Sequence, residues 1–246
     1  MNTARISVLM LAAAFAAGTV AQADDQKPIR HLVFNMGVTI ATTQTQKTSG
    51  IGGDGPASGS VDSKGSVSDT GTIVADVIAV QPDSGLVVRV SEQGRGDRNN
   101  EPTMCVTYGT GTVVCDQSKG GPNEEEFSLL RILGRDFVNP VLMDSKKHWR
   151  TSSQGAGGQE TNDYTVNAQN GDIYDISFQR VLEVSGAQSY NASTQGKIVY
   201  NQKLSVPTSM TEDTITRRNG IGGDYTTIDQ KMTFSLATDS LASAKP

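Results

Sequence analysis

The strongest constraint on this chain is a period-two alternation of apolar and polar residues that recurs along most of its length. In "RHLVFNMGVTIAT", Leu32, Phe34, Met36, Val38 and Ile40 fall on one side, and Val33, Asn35, Gly37, Thr39 and Ala41 on the other. Successive side chains of a strand point to opposite faces, so this pattern suits a strand with one buried face and does not suit a helix. "TIVADVIAV" and "GLVVRVSE" repeat the pattern around the turn "QPDSG". "DIYDISFQRVLEV" places Tyr174, Ile176, Phe178, Leu182 and Val184 on one face, against Asp175, Ser177, Gln179 and Glu183. "GKIVYNQKL" and "YTTIDQKMTFSL" continue it, with Ile228, Met232, Phe234 and Leu236 sharing a face. Turn signals such as "QNGD" and "VSGAQ" separate the runs. Several strands read as ten or more residues long and lie next to each other in sequence, which predicts an antiparallel meander.

One stretch departs from the rule. In "GPNEEEFSLLRILGRDFVNP", Asn123 is a good N-cap and Glu126 stands where a capping box requires it. Glu124, Glu125 and Glu126 occupy a first turn, where the helix dipole favours acids. Phe127, Leu130 and Leu133 follow at helical spacing, and Gly134 is placed to end the element. The prediction is one amphipathic helix near 124–134, about three turns long, lying on the concave side of a curved sheet or half-barrel. Only 36% of the residues are apolar and 5% aromatic, against roughly 45–50% apolar, Gly included, in ordinary domains. A thin core follows, with one sheet covered on one side.

The two cysteines sit in "MCVTYGTGTVVCD". If Tyr108 and Thr112 close a three-residue Gly-Thr-Gly loop, residue 107 faces 113, 106 faces 114, and Cys105 faces Cys115. Direct opposition across a hairpin brings the Cβ atoms into disulfide range. The spacing is that of neither a redox C-x-x-C pair nor a zinc knuckle. The first 23 residues carry Arg5, an apolar run from Ile6 to Ala17 and an Ala21-Gln22-Ala23 cleavage pattern. They read as a secretory signal peptide; a membrane helix needs about 20 apolar residues. Cleavage after Ala23 would leave one domain over 24–246 in a periplasmic or secreted, disulfide-permissive setting. Within it, 42–72 is expected as a long flexible hairpin arm or loop, since Gly, Ser and Thr supply 19 of its 31 residues. No later stretch is long enough for a transmembrane helix.

Function is less legible. Without the leader the chain has 20 basic and 26 acidic residues and no Lys/Arg run, a poor composition for nucleic-acid or anionic-membrane binding. No G-x-S-x-G, H-E-x-x-H, C-x-x-C or P-loop pattern occurs. With only His31 and His148 present and no local signature, no catalytic residue is assigned and an enzyme is not expected. No metal site or cofactor is expected either; Asp-Gly and Gly-Asp pairs read as turns. Arg95-Gly96-Asp97 reads as a loop tip. Asn191-Ala192-Ser193 is a glycosylation acceptor pattern. Trp149 in "KKHWR" reads as a packing anchor, with an aromatic-plus-basic ligand anchor as the alternative. "GIGGD" occurs at Gly50–Asp54 and Gly220–Asp224. Neither copy precedes a helix, so hairpin chemistry is preferred to a phosphate cradle, with a shared binding edge as the alternative.

This order of elements, from Arg30 to Leu236, resembles the half-barrel carriers of lipids and lipoproteins in the bacterial envelope, in which a curved sheet wraps a helix. No family motif accompanies the resemblance, and no functional residue carries over. It implies an apolar or amphipathic ligand, such as a lipid, between the helix and the sheet's inner face. The implied lining is Phe34, Phe127, Leu130, Leu133, Trp149, Phe178, Met232 and Phe234. A non-catalytic carrier is therefore the first expectation. An envelope scaffold without ligand, which would show an exposed edge or apolar patch, is the second. A hydrolase built on His31 or His148 is the third.

Overall fold

The structure is a computed structural model that describes residues 26–48, 59–81, 85–94, 101–118, 121–134, 147–155, 158–185, 189–220 and 224–243. The leader, the first GIGGD copy, the Arg95-Gly96-Asp97 tripeptide and the tip of the second GIGGD copy lie outside the described residues. The elements are β1 (Arg30–Thr48), β2 (Gly59–Val80), β3 (Leu86–Gln93), β4 (Thr103–Thr107), β5 (Val113–Cys115), α1 (Glu124–Leu130), β6 (His148–Gly155), β7 (Gly158–Asn170), β8 (Ile173–Val184), β9 (Tyr190–Asn201), β10 (Val206–Asn219), β11 (Tyr225–Asp239) and α2 (Ser240–Ser243).

All eleven strands form one antiparallel sheet in the order β5-β4-β3-β2-β1-β11-β10-β9-β8-β7-β6. Every contact is between chain neighbours except β1 with β11, so the meander is folded about the pairing of its first and last strands. Leu32 lies opposite Asp239, and Thr45 opposite Tyr225. Arg30 fastens this seam. Its Nε and Nη2 donate to the Asp239 carboxylate at 3.0 and 2.7 Å, and its Nη1 donates to the Leu204 carbonyl.

The topology also explains why the sheet stays open. The edge strands β5 and β6 follow each other in sequence yet lie at opposite margins. With eleven strands alternating in direction, the two margins run the same way, so no hairpin joins them. The chain between them must cross the sheet, and at ~4.8 Å per strand that width is about 48 Å along the arc. Helix α1 lies on this crossing, which places it against the inner face.

The helix is shorter than the spacing predicts. The capping box forms: Asn123 Oδ1 accepts from the Glu126 N–H at 2.8 Å, and the Glu126 carboxylate accepts from the Asn123 N–H at 2.9 Å. Regular helix ends at Leu130. Beyond it Ile132 N–H reaches back only to the Leu129 carbonyl, and Gly134 N–H, with φ +72°, donates to the Ser205 carbonyl. Thr107 Oγ1 lies 2.8 and 2.9 Å from the Leu130 and Leu133 carbonyls. The Thr107 hydroxyl is thus shared between two carbonyls of the last turn, and the Gly134 N–H is taken by Ser205 rather than by a further helical turn.

The cysteine hairpin has the predicted register, with Cys105 opposite Cys115, Val106 opposite Val114 and Thr107 opposite Val113. Tyr108 N–H donates to the Thr112 carbonyl, and the disulfide is formed. Within 42–72, Thr42–Thr48 and Gly59–Thr72 are paired strand, the two sides of one hairpin; the pairs run from Thr42 with Gly65 to Thr48 with Gly59. Over Gly59–Gly71 β2 pairs with β1 alone, since β3 joins only from Thr72, and residues 60–68 are exposed, so threonine and serine meet no demand for an apolar stripe there. The β10–β11 hairpin closes at the second GIGGD copy, where Gly220 N–H donates to the Asp224 carbonyl at 2.8 Å.

Candidate functional site

The inner face has two tiers. Its floor is one continuous apolar cluster including Leu32, Phe34, Ile73, Val88, Ile176, Ile198, Tyr200, Met210, Met232 and Phe234. Alternation along the strands aims these side chains to one side, and α1 closes over them with Leu129, Leu130 and Leu133 fully buried. Toward the β6–β7 margin, Trp149 stacks on Tyr164 at 5.1 Å between ring centroids, and Tyr164 stacks on Phe178 at 6.1 Å. Gly196 leaves room for this aromatic row. A Cβ there would lie 2.5 Å from the Phe178 ring and 2.3 Å from the Thr211 carbonyl.

Further along the same strands the inward positions turn polar. Glu92, Asn162, Thr194, Glu212, Thr214 and Gln230 are all buried. Ser128 of α1 donates to Glu212 at 2.9 Å, and Arg180 approaches the same carboxylate at 3.8 Å. Arg131 pairs with Glu160 at 3.1 Å and lies over the Phe127 ring at 4.7 Å. Thr194 and Thr214 share a hydrogen bond of 2.9 Å. At the helix N-terminus, Asn123 Nδ2 donates to Glu92. Burial pushes the Glu126 carboxyl up to about 7, helped by the nearby charges of Glu92 and Glu125 and opposed by the Asn123 backbone N–H. Burial likewise raises Glu124 and lowers Arg131. The helix is therefore seated by apolar contacts below and by a charged and hydroxyl-bearing tier beside it.

Seven of the eight residues expected to line a ligand site lie in the floor: Phe34, Leu130, Leu133, Trp149, Phe178, Met232 and Phe234 are buried together. Phe127 is half-buried at the margin, under Arg131. The helix and the turn after it pack directly on the floor through Leu129, Leu130, Ile132 and Leu133, so a ligand reaches the side chains beneath them only by displacing them. The sequence reading missed the polar tier. Its signal was present as breaks in the apolar register, Arg180 between Phe178 and Leu182, and Gln230 between Ile228 and Met232.

The histidines lie elsewhere. His31 Nδ1 is 2.7 Å from Asp76 Oδ1, and Arg89 donates to the other Asp76 oxygen at 2.9 Å. Ser240 Oγ accepts from the His31 backbone N–H at 2.9 Å. His148 Nε2 lies 3.3 Å from Asp163, on the outer face. The serine that shares its row, Ser177, is two strands away across Thr165, about 9.5 Å at strand spacing. Ser177 donates instead to Asn167 at 3.2 Å. Among the described residues, no group of three or more His, Cys, Asp or Glu side chains is placed to hold a metal ion. Among the same residues, no helix is long and apolar enough to cross a membrane.

No protein-family model matches the chain, and no curated protein matches it. Among solved structures it is similar to lipovitellin, solved for its lipid–protein interactions, at 8% identity and a TM-score of 0.49. The match covers 87% of this chain and 26% of that one, so the chain spans about a quarter of the lipovitellin structure. At that identity and TM-score the likeness says nothing of a ligand for this chain.

Proposed function

We propose that the protein is an exported, non-catalytic binding or carrier protein for an apolar or amphipathic ligand held on the inner face. The observation that carries this reading is the open sheet. Its apolar floor runs unbroken from the β1–β11 seam to Trp149 and is covered, among the described residues, by one helix of seven residues. Such a helix spans about 10 Å, and displacing it exposes floor and polar tier together, a surface suited to an acyl chain with a polar head. The separation of His148 from Ser177, and the use of Ser240 by a backbone N–H, support a non-catalytic role.

The test is organic extraction of the folded, purified protein followed by mass spectrometry, then titration with a fluorescent dansyl fatty acid. The expected result is a stoichiometric acyl-chain ligand, or saturable one-to-one probe binding with energy transfer from Trp149, the single tryptophan. Absence of both overturns the reading. A scaffold without ligand is the second reading. The complete burial of Leu129, Leu130 and Leu133 favours it, as do the exposed Val181 and Ile215, which both pair with Ser193 on the outer face. That reading gains if neither extraction nor titration finds a ligand.

A further inference from the structure

The opposite face of the sheet carries a separate hollow of about 630 Å³, built by strands β6 to β10 and independent of the inner face. One row of outward side chains crosses it through His148, Thr165, Ser177, Lys197 and Thr211, each paired with the next across the sheet. Four strand spacings make this row about 19 Å long. A second row runs parallel to it through Arg150, Asp163, Gln179 and Gln195. Both flanks are bent. β7 shifts register between Val166 and Ala168, and β10 between Pro207 and Ser209. Such bulges increase local twist and turn an otherwise flat outer face into a trough.

The chemistry of the trough is specific. Asp163 accepts from Arg150 Nε and Nη2 at 2.7 and 3.0 Å, which fixes the guanidinium in a bidentate pair. Hydrogen bonding to Arg150 holds the Asp163 carboxyl below its usual range. Arg150 Nη1 has no protein partner among the described residues, and neither do the Lys197 ammonium or the Gln179 and Gln195 amides. With Asp163 offset by Arg150, Lys197 leaves a net positive charge. Phe178 is the one Phe, Tyr or Trp lining the trough, and its ring is buried in the core on the other side, while the His148 imidazole is held against Asp163. Nothing in it rewards an acyl chain or stacks a base, and the acidic chain as a whole repels long polyanions. What remains is a row of hydroxyls and amides around one uncompensated ammonium.

We propose that this trough binds a short anionic, hydroxyl-rich ligand, an acidic oligosaccharide, with Lys197 and Arg150 taking its carboxylates and Gln179 and Gln195 its hydroxyls. The test is calorimetric titration of the full chain with tetragalacturonate, with neutral maltotetraose and inorganic phosphate as comparison ligands. Tetragalacturonate is expected to bind saturably and more tightly than either. Lys197→Glu is expected to weaken it about tenfold or more. The Gln179→Ala/Gln195→Ala double variant, which changes only exposed side chains, is expected to weaken it as well without altering the circular dichroism spectrum. No saturable binding up to about 10 mM, equal binding of maltotetraose or phosphate, or indifference to both variants would overturn the proposal.

Discussion

Replacing Glu126 by Gln tests the seat of the helix through its pH dependence. Glu126 is 1% exposed, with one carboxylate oxygen on the Asn123 N–H and the other without a partner among the described residues. Burial first, and then the charges of Glu92 of β3 and Glu125 of α1 beside it, make the charged form unfavourable and push the carboxyl from its ordinary 4.5 up to about 7. Below pH 4.5 both the folded and unfolded chains hold the proton. Between 4.5 and 7 the unfolded chain releases it while the folded chain keeps it, so stability falls as pH rises, and it levels off above 7. Two and a half pH units at 1.36 kcal/mol each give about 3 kcal/mol. Gln keeps the acceptor that the capping box uses and cannot ionise. Urea unfolding with the disulfide intact, followed by Trp149 fluorescence and far-ultraviolet circular dichroism, should show the two proteins alike near pH 4.5. By pH 8 Glu126→Gln should be more stable by about 3 kcal/mol. A difference that does not change with pH, or a variant less stable at pH 8, would refute the argument.

Three further outcomes are expected. Gly196→Ala should destabilise by about 1–3 kcal/mol, because its Cβ meets the Phe178 ring and the Thr211 carbonyl; Gly65→Ala, with nothing within 4 Å, should be close to neutral in the same melts. Replacing Cys105 and Cys115 together by Ser should cost about 3 kcal/mol from the entropy of the loop they close, separation 10, read as a lower urea midpoint. Leu130→Ala should cost about 2–5 kcal/mol, since the side chain is fully buried between helix and floor; a loss below 1 kcal/mol by the same measurement would mean that α1 is not held as described.

Much of the fold is readable in local chemistry. The alternation from Leu32 to Val38 names its inward residues because a strand has only two faces. The register of the cysteine hairpin follows from loop length alone, and the capping box at Asn123 and Glu126 needs only neighbours. The low-complexity stretch 42–72 was harder. Its Thr, Ser and Gly residues carry no apolar signal, and the end of β1 and the start of β2 are held there by backbone pairing with each other, which no side-chain period records. The helix length was misread for a related reason, since Thr107 and Ser205, distant in sequence, satisfy the carbonyl and N–H groups that further turns would have used. The polar tier was hidden because Arg180, Glu212 and Gln230 look like ordinary exposed strand residues until opposing elements bury them.

The sequence by itself therefore determined the strands that carry an apolar alternation, their inward faces, the disulfide and the start of the helix, because each depends on spacing within about a dozen residues. The tertiary structure decided which strands became margins, and hence that the sheet stays open and the crossing chain carries α1 over the floor. It also decided where charge collects, beside the helix on the inner face and around Lys197 in the outer trough. Both depend on residues brought together from five or more strands, and no local period records that meeting.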